Sequence, residues 1–345
     1  MVSFTSDNAS GAAPEILEAL AAANGGAAMP YGADAITARV QARLAEIFET
    51  EVAVFPVATG TAANSLSLAV MVPPYGAVYC HEAAHIQMDE CGAPEFYTGG
   101  AKLVPLPGAH GKIEASVLGA AIEGAGNVHA VQPAAVSITQ ASEAGTVYSL
   151  AEIAGLAEVA RANGLGLHMD GARFANALVA GNHSPAELTW KSGVDALSFG
   201  ATKNGALGAE AVVLFKPELA ATFGYRRKRA GHLFSKMRFL SAQLEAYLRD
   251  DLWLRNARHA NAMAARMSTG LAAIAGVSLS HPVEANEIFA RLPEAMIADL
   301  LAQGFVFYRW GAEANCEVRL VTSFDTDPKD VDAFLAAASA AATRG

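Results

Sequence analysis

The stretch LGLHMDGARFANA, Leu165 to Ala177, and its successor VDALSFGATKNGALGAE, Val194 to Glu210, decide the fold. In the first, an apolar run from Leu165 to Met169 ends at an acid, Asp170, which only Gly171 and Ala172 separate from Arg173. In the second, Ala196 to Phe199 leads into Ala201-Thr202-Lys203-Asn204-Gly205. Short apolar runs bounded by turn formers read as buried strands. Each therefore delivers one functional group at its carboxyl end, where open α/β sheets bind their ligands.

Each group also has an ordinary use. An acid after a buried strand commonly caps a helix, and a lysine after one is commonly a solvated loop residue. As an ordered pair, with Gly and Ala thinning the backbone around both, they suit a pyridoxal phosphate site. The acid keeps the pyridine nitrogen protonated, and the lysine amine forms the Schiff base. Small residues at such a place let the backbone approach a cofactor closely.

Outward from this stretch, strand and helix patterns alternate. Helical spacing predicts Pro14 to Ala23 and Ile36 to Phe48, then Ala115 to Ile122 and Leu150 to Asn163. Between them, Val52 to Val57, Ala77 to Cys80, Lys102 to Pro105, Ala134 to Thr139 and Ala211 to Phe215 read as strands. Alternation of this kind implies βα units around a mostly parallel sheet. The chain turns mostly helical from Glu218 to Ala275, after which Val277 to Leu279, Glu287 to Arg291, Gly304 to Tyr308 and Glu317 to Thr322 are strand-like. The expected division is a large domain over residues 1–249, N-terminal segment included, and a small α/β domain over 250–345.

Composition narrows the class. Of 345 residues, 52% are hydrophobic and 17% charged, with a net charge of −10. A chain this apolar without an 18-residue apolar run is expected to bury surface between subunits rather than in a membrane. The acidic balance argues against nucleic acid and anionic membranes as partners. Three cysteines (Cys80, Cys91 and Cys316), without metal-site spacing, and an N-terminus unlike a signal peptide point to reduced thiols in a cytoplasm.

Four further places carry candidate chemistry. TGTAAN, Thr59 to Asn64, sits where a strand gives way to a helix, a natural anion site. It is neither a dinucleotide fingerprint nor a P-loop, which disfavours a Rossmann-type dehydrogenase. His85 lies in CHEAAHIQMDECGAPE beside His81, Glu82, Asp89 and Glu90. It can stack on a ring and titrate near neutrality. A metal is the rival reading there, since His81 and His85 would share a helix face, but a third ligand is not specified and no metal is expected. Arg319, flanked by Val318 and Leu320 in a strand, needs a partner; the choices are a structural ion pair and a clamp on a substrate carboxylate. The basic cluster Arg226 to Arg229, with Lys236 and Arg238, is a solvated helix end or an anion site.

These residues, in this order, resemble the threonine aldolase family, its low-specificity L-threonine branch in particular, among the fold type I pyridoxal phosphate enzymes. The resemblance runs nearly end to end, through SDN at Ser6, YGAD at Tyr31, TGTAAN, EAAH, HMDGARFANA, ATKNG and the Arg319 strand. It implies an aspartate aminotransferase-like large domain with a mostly parallel seven-stranded sheet. It also implies that Lys203 is the Schiff-base lysine, Asp170 the partner of the pyridinium nitrogen, and His85 the ring-stacking residue near the substrate hydroxyl. Gly60 and Thr61 would bind the phosphate. Arg173, Arg319 and Ser6, with Tyr31 nearby, would hold the amino acid. Lys228 or Arg229 would reach the phosphate of a neighbouring subunit, in a dimer of dimers with shared active sites.

The implied reaction is retro-aldol cleavage of a β-hydroxy-α-amino acid to glycine and an aldehyde, with His85 or a water it orients as the base at the hydroxyl. Threonine and phenylserine are both reasonable substrates. Many relatives carry a second histidine in the loop after the Thr139 strand, where this chain reads TQASEAGT, and an aromatic residue at the position of Asp89. Asp89 is therefore expected to take over part of the hydroxyl recognition, by contact or by tuning His85. An aminotransferase, a β-eliminating lyase or a non-catalytic cofactor-binding regulator would share Asp170 and Lys203, because fold alone does not set the reaction.

Overall fold

A computed structural model describes residues 2–343. Seven strands form the central sheet in the order Ala53–Val57, Glu210–Leu214, Ala196–Gly200, Gly166–Gly171, Gln132–Thr139, Gly76–His81, Lys102–Leu106. All neighbours run parallel except Glu210–Leu214, which is antiparallel to both of its partners. This is the mostly parallel α/β sheet expected. The strands Gly76–His81, Ala196–Gly200 and Glu210–Leu214 are buried along their whole length. They are covered on both faces, which is why they read as continuous apolar runs rather than alternating ones.

The two decisive strands are neighbours, with Asp170 opposite Ser198. Both carboxyl ends open at the same edge of the sheet. Gly200 permits this: a Cβ there would lie 2.5 Å from the carbonyl oxygen of Ala172, a backbone atom that cannot swing away. Deeper in the sheet, His168 bridges its neighbours, its Nδ1 2.9 Å from Ser137 Oγ and its Nε2 3.0 Å from Ser198 Oγ. Complete burial pushes this imidazole down to about 4, so it ties three strands together as a neutral group.

Helices Pro14–Ala23, Ala35–Ile47, Gly60–Met71, Ala115–Ala121 and Leu150–Ala162 stand where helical spacing puts them, within a residue or two. The helical region after Glu218 resolves into Pro217–Ala220, Phe223–Arg229, Arg238–Leu248 and Leu252–Ala272. The last of these joins two apolar cores. Leu252, Trp253 and Ala257 pack with the central sheet, whereas Met263, Met267 and Leu271 pack with Phe305, Phe307 and Phe334. The cores thus divide within this helix rather than before it. The N-terminal segment also goes with the smaller core: Val2–Ser3 pairs in parallel with Phe305–Val306, and Phe4 lies against Phe334.

One expected strand, Gly304 to Tyr308, is two. Phe305–Val306 joins Val2–Ser3, and Tyr308–Trp310 pairs with Glu317–Val321. The chain changes sheets at Phe307, whose ring is buried 5.9 Å from Phe334. Alternation cannot show such a switch, because apolar character continues through it. No helix among the described residues is long and apolar enough to cross a membrane.

Candidate active site

Asp170 sits at the penultimate position of its strand, buried, with Oδ1 accepting from Ala172 N at 3.0 Å. Its Oδ2 accepts from Asn64 Nδ2 at 2.8 Å, and the same amide donates to Glu90 Oε1 at 2.8 Å. Glu90 Oε1 lies 2.9 Å from His85 Nδ1. A chain of hydrogen bonds therefore joins His85, Glu90, Asn64 and Asp170. Among the described residues Asn64 Oδ1 and Glu90 Oε2 are buried without a partner, so the network retains unused acceptors. The hydrogen bond to Glu90 raises the His85 imidazole above its ordinary value, helped by the charges of Glu143 and Asp170 and opposed by burial. Burial is also the main force on the Glu90 carboxyl, which is raised in spite of His85.

The pair makes a pH-dependent prediction. In Glu90→Gln the His85 ring titrates at lower pH, measured by NMR of the ring protons. A histidine whose folded value is raised contributes stability that is full below its unfolded value of about 6.5 and lost as pH rises through the folded value. The stability difference between wild type and variant due to His85 is therefore largest on the acid side. An unmoved ring titration would show that Glu90 does not govern His85.

The helix Gly60–Met71 begins at the same sheet edge. Thr59 caps it, its Oγ1 accepting from Ala62 N at 3.2 Å. That leaves the N–H groups of Gly60 and Thr61, at the positive end of the helix dipole, facing a cavity of about 260 Å³. Asp170, His85 and Lys203 line the same cavity. Lys203 sits half-buried in a short turn, Thr202–Asn204. Asn204 anchors that turn through Tyr247 Oη at 2.7 Å and Trp253 O at 2.8 Å. From beneath, Glu210 Oε2 accepts from Ala201 N at 2.8 Å; burial pushes its carboxyl up to about 7.

A larger cavity of about 870 Å³ opens outward from the same residues. Ser6, Arg173, Arg319 and Asp89 line it, with aromatic walls from Phe289, Tyr308 and Trp310. Arg319 stands between Phe289 and Tyr308 in register, and its guanidinium lies 5.1 Å from the Trp310 ring centre. Period-two alternation explains this face: Ile288, Ala290, Val318 and Leu320 point into the smaller core, so Glu287, Phe289 and Arg319 point away from it.

The structure corrects several expectations. Arg173 is not an open fork for a substrate carboxylate. Its Nε and Nη2 are closed on Asp7, at 2.8 and 3.0 Å, and its Nη1 lies 3.0 Å from Glu287 Oε2. Arg319 is less committed, with only Nε near Glu287 Oε1 at 3.5 Å. The carboxylate on His85 is Glu90, not Asp89; Asp89 is exposed and lines the outer cavity alone. His81 and His85 do not share a helix face. His81 closes a strand, with Nε2 3.0 Å from Gly108 O and Nδ1 accepting from Ala83 N, so neither nitrogen is left for a metal. Tyr31, expected near the substrate, lines neither cavity; Lys228 and Arg229, expected at the phosphate of a neighbouring subunit, line neither as well, and Lys228 Nζ lies 4.9 Å from the exposed Tyr31 ring centre.

Sequence reading missed Asp7, Asn64, Glu90, Glu143 and Glu287 as site residues. Asn64 and Glu90 stand inside motifs quoted for other members, so the signal was the motif rather than the residue. Asp7 likewise stands inside SDN, quoted for Ser6, whereas Glu287 carries no local signal, because its partner Arg173 is distant in the chain.

The donor set fits pyridoxal phosphate. A buried acid can meet a pyridinium, a lysine amine shares its cavity, and a helix N-terminus can take a phosphate. The beta-eliminating lyase family model matches residues 3–295. The chain is 46% identical to the low specificity L-threonine aldolase of Pseudomonas aeruginosa over 94% of this chain and 93% of that one. It is 24% identical to the low specificity L-threonine aldolase of Saccharomyces cerevisiae over 84% of this chain and 74% of that one. The solved structure of a Leishmania major threonine aldolase is similar, with a TM-score of 0.93, 29% identity, and coverage of 99% of this chain and 100% of that one. An aspartate aminotransferase from Rhodobacter sphaeroides shares the fold at a TM-score of 0.71, with 18% identity over 99% of this chain and 92% of that one.

Proposed function

The chain belongs to the beta-eliminating lyase family, and on that premise we propose that it is a pyridoxal phosphate-dependent aldehyde-lyase. It cleaves L-threonine, L-allo-threonine and related β-hydroxy-α-amino acids reversibly to glycine and an aldehyde. What carries the reading is the pairing of Asp170 and Lys203 at the ends of adjacent parallel strands, facing one cavity, in a chain 46% identical to an enzyme of that name.

The cofactor would be held by Asp170 at the pyridinium nitrogen, by His85 against the ring, by the Gly60 and Thr61 amides at the phosphate and by Lys203 through its amine. When bound it supplies the electron sink for the Cα–Cβ bonding pair. The protein does the rest by position. Arg319 and Ser6 hold the substrate carboxylate, while Arg173 fixes the walls of that pocket through Asp7 and Glu287. Anchoring the carboxylate on one side would fix the orientation of the Cα–Cβ bond, and orientation selects which bond breaks. The β-substituent points into the outer cavity. That space and its aromatic walls exceed what a methyl group needs, so substituents as large as phenyl are accommodated.

Tyr31 and Lys228 or Arg229 serve the site of a second copy in a dimer of dimers, since they lie together on the surface away from their own cavities. Location in a cytoplasm accords with Cys80, Cys91 and Cys316, all free.

The test is an absorbance spectrum with pyridoxal phosphate, followed by excess L-threonine with coupled detection of acetaldehyde. A Schiff-base band and acetaldehyde are expected. A keto acid or ammonia as product would replace the reading with transamination or elimination. Absence of the band would overturn it altogether.

A further inference from the structure

Among the described residues, Asn8, His85, Glu143 and Lys203 line both cavities and so form the throat between them. His85 and Lys203 have roles in the proposed reaction; Glu143 has none. It lies in the loop between strand Gln132–Thr139 and helix Leu150–Ala162. It is half-buried and has no hydrogen-bond or ion-pair partner among the described residues.

The loop that presents Glu143 is firmly built. Ser142 N donates to Thr146 O at 2.8 Å, and Ser142 Oγ donates to His110 O at 3.0 Å. Gln140 spans the base of the loop, with Nε2 donating to Tyr148 O and Oε1 accepting from Tyr148 N, both at 2.9 Å. Gly145 closes it at φ +74°, where a Cβ would lie 2.7 Å from Glu287 O. The backbone that carries Glu143 is therefore fixed at the throat.

Of the other throat groups, Asn8 carries an amide, which is no base, and His85 and Lys203 are committed elsewhere. His85 Nδ1 is bound to Glu90, and surrounding acids draw its ring toward the imidazolium, which donates. Lys203 is reserved for the cofactor in the proposed reaction. Asp89 stays in the outer cavity. We propose that Glu143 is the catalytic acceptor of the substrate β-hydroxyl proton, a role that rests on the aldol-cleavage reading above. The hydroxyl O–H bond breaks and its proton passes to the Glu143 carboxylate. The freed electron pair becomes the second carbon–oxygen bond of the aldehyde as the Cα–Cβ bond breaks, and the Cα–Cβ pair remains with Cα and its sink. In the synthetic direction Glu143 returns the proton to the aldehyde oxygen. The charged groups around it are Arg173, Glu287 and His85, on each of which its charge acts, and Lys203 and Asp170, which line the inner cavity with it.

The test compares holoenzyme of wild type, Glu143→Gln, Glu143→Asp and Asp89→Asn. Glu143→Gln is expected to lower kcat for L-threonine cleavage by roughly 10²–10⁴-fold, the usual worth of a positioned base, with little change in KM. Exchange of the glycine Cα hydrogen with deuterated water, which involves no β-hydroxyl, continues at the wild-type rate. Glu143→Asp restores part of the cleavage. The His85 ring titration, followed by NMR without turnover, moves to lower pH in Glu143→Gln because a nearby negative charge is gone. Wild-type cleavage in Glu143→Gln, a parallel loss of glycine exchange, or the loss appearing in Asp89→Asn instead would each overturn the assignment. If wild type releases no acetaldehyde, the aldol reading itself has failed and this role falls with it.

Discussion

Lys203→Ala is expected to yield a folded protein with no Schiff-base absorption band and cleavage of L-threonine reduced by about 10³-fold or more, as for loss of other covalent nucleophiles. The fold should survive because the turn carrying the lysine is anchored by others. Asn204 bonds Tyr247 and Trp253, and Glu210 takes the amide of Ala201. The Lys203 side chain makes no hydrogen bond or ion pair among the described residues, so its removal breaks no direct contact and takes only a longer-range charge from Asp7 and Glu210. Absorbance, coupled acetaldehyde detection and a thermal melt check the three parts together. Retained cleavage without the band would move the covalent role away from Lys203. An unfolded variant would show that the lysine is structural as well.

Arg173→Met should be the most destabilising single change at the site. Asp7 and Glu287 are almost fully buried, at 2% exposure each, and Arg173 is the cation that both face. Removing one member of a buried ion pair typically costs about 3–5 kcal/mol, because the remaining charge stays desolvated. Denaturant unfolding measures it. The variant Arg173→Met with Asp7→Asn and Glu287→Gln should recover part of the loss, since residues of one network are not additive. Failure of that rescue would mean that packing of the guanidinium, not charge, was lost. The pH dependence has a defined sign. Burial pushes the Asp7 carboxyl up, but Arg173 and Lys203 outweigh it and hold it below the usual carboxylate range. A depressed acid stabilises the fold above its unfolded value, and this is lost as pH falls through the folded value. Wild type should therefore lose this increment only at strongly acid pH, while Arg173→Met lacks it throughout.

The sheet and its helices were legible because local patterns carried them. The run Ala196 to Phe199 and the helix from Pro14 lie where propensity and periodicity agree, with Pro14 in the first turn of its helix. The strand at Gly304 to Tyr308 was not, because a change of sheet at Phe307 leaves the apolar pattern intact. The same division runs through the site. Asp170, Lys203, His85 and the TGTAAN helix start could be picked out by residue type and position beside a strand or helix end.

By itself, then, the sequence determined the α/β class and the cavity's principal groups, since each follows from short-range order along the chain. Only the tertiary structure decided how those groups are tied. Asn64 meets Asp170 across 106 positions, and Asp7 fills the Arg173 fork across 166. It alone gave His85 to Glu90 rather than to the adjacent Asp89, and set Glu143 where the two cavities meet, unpaired among the described residues. A hydrogen bond depends on a few tenths of an ångström and on direction, and those are fixed only when distant segments pack.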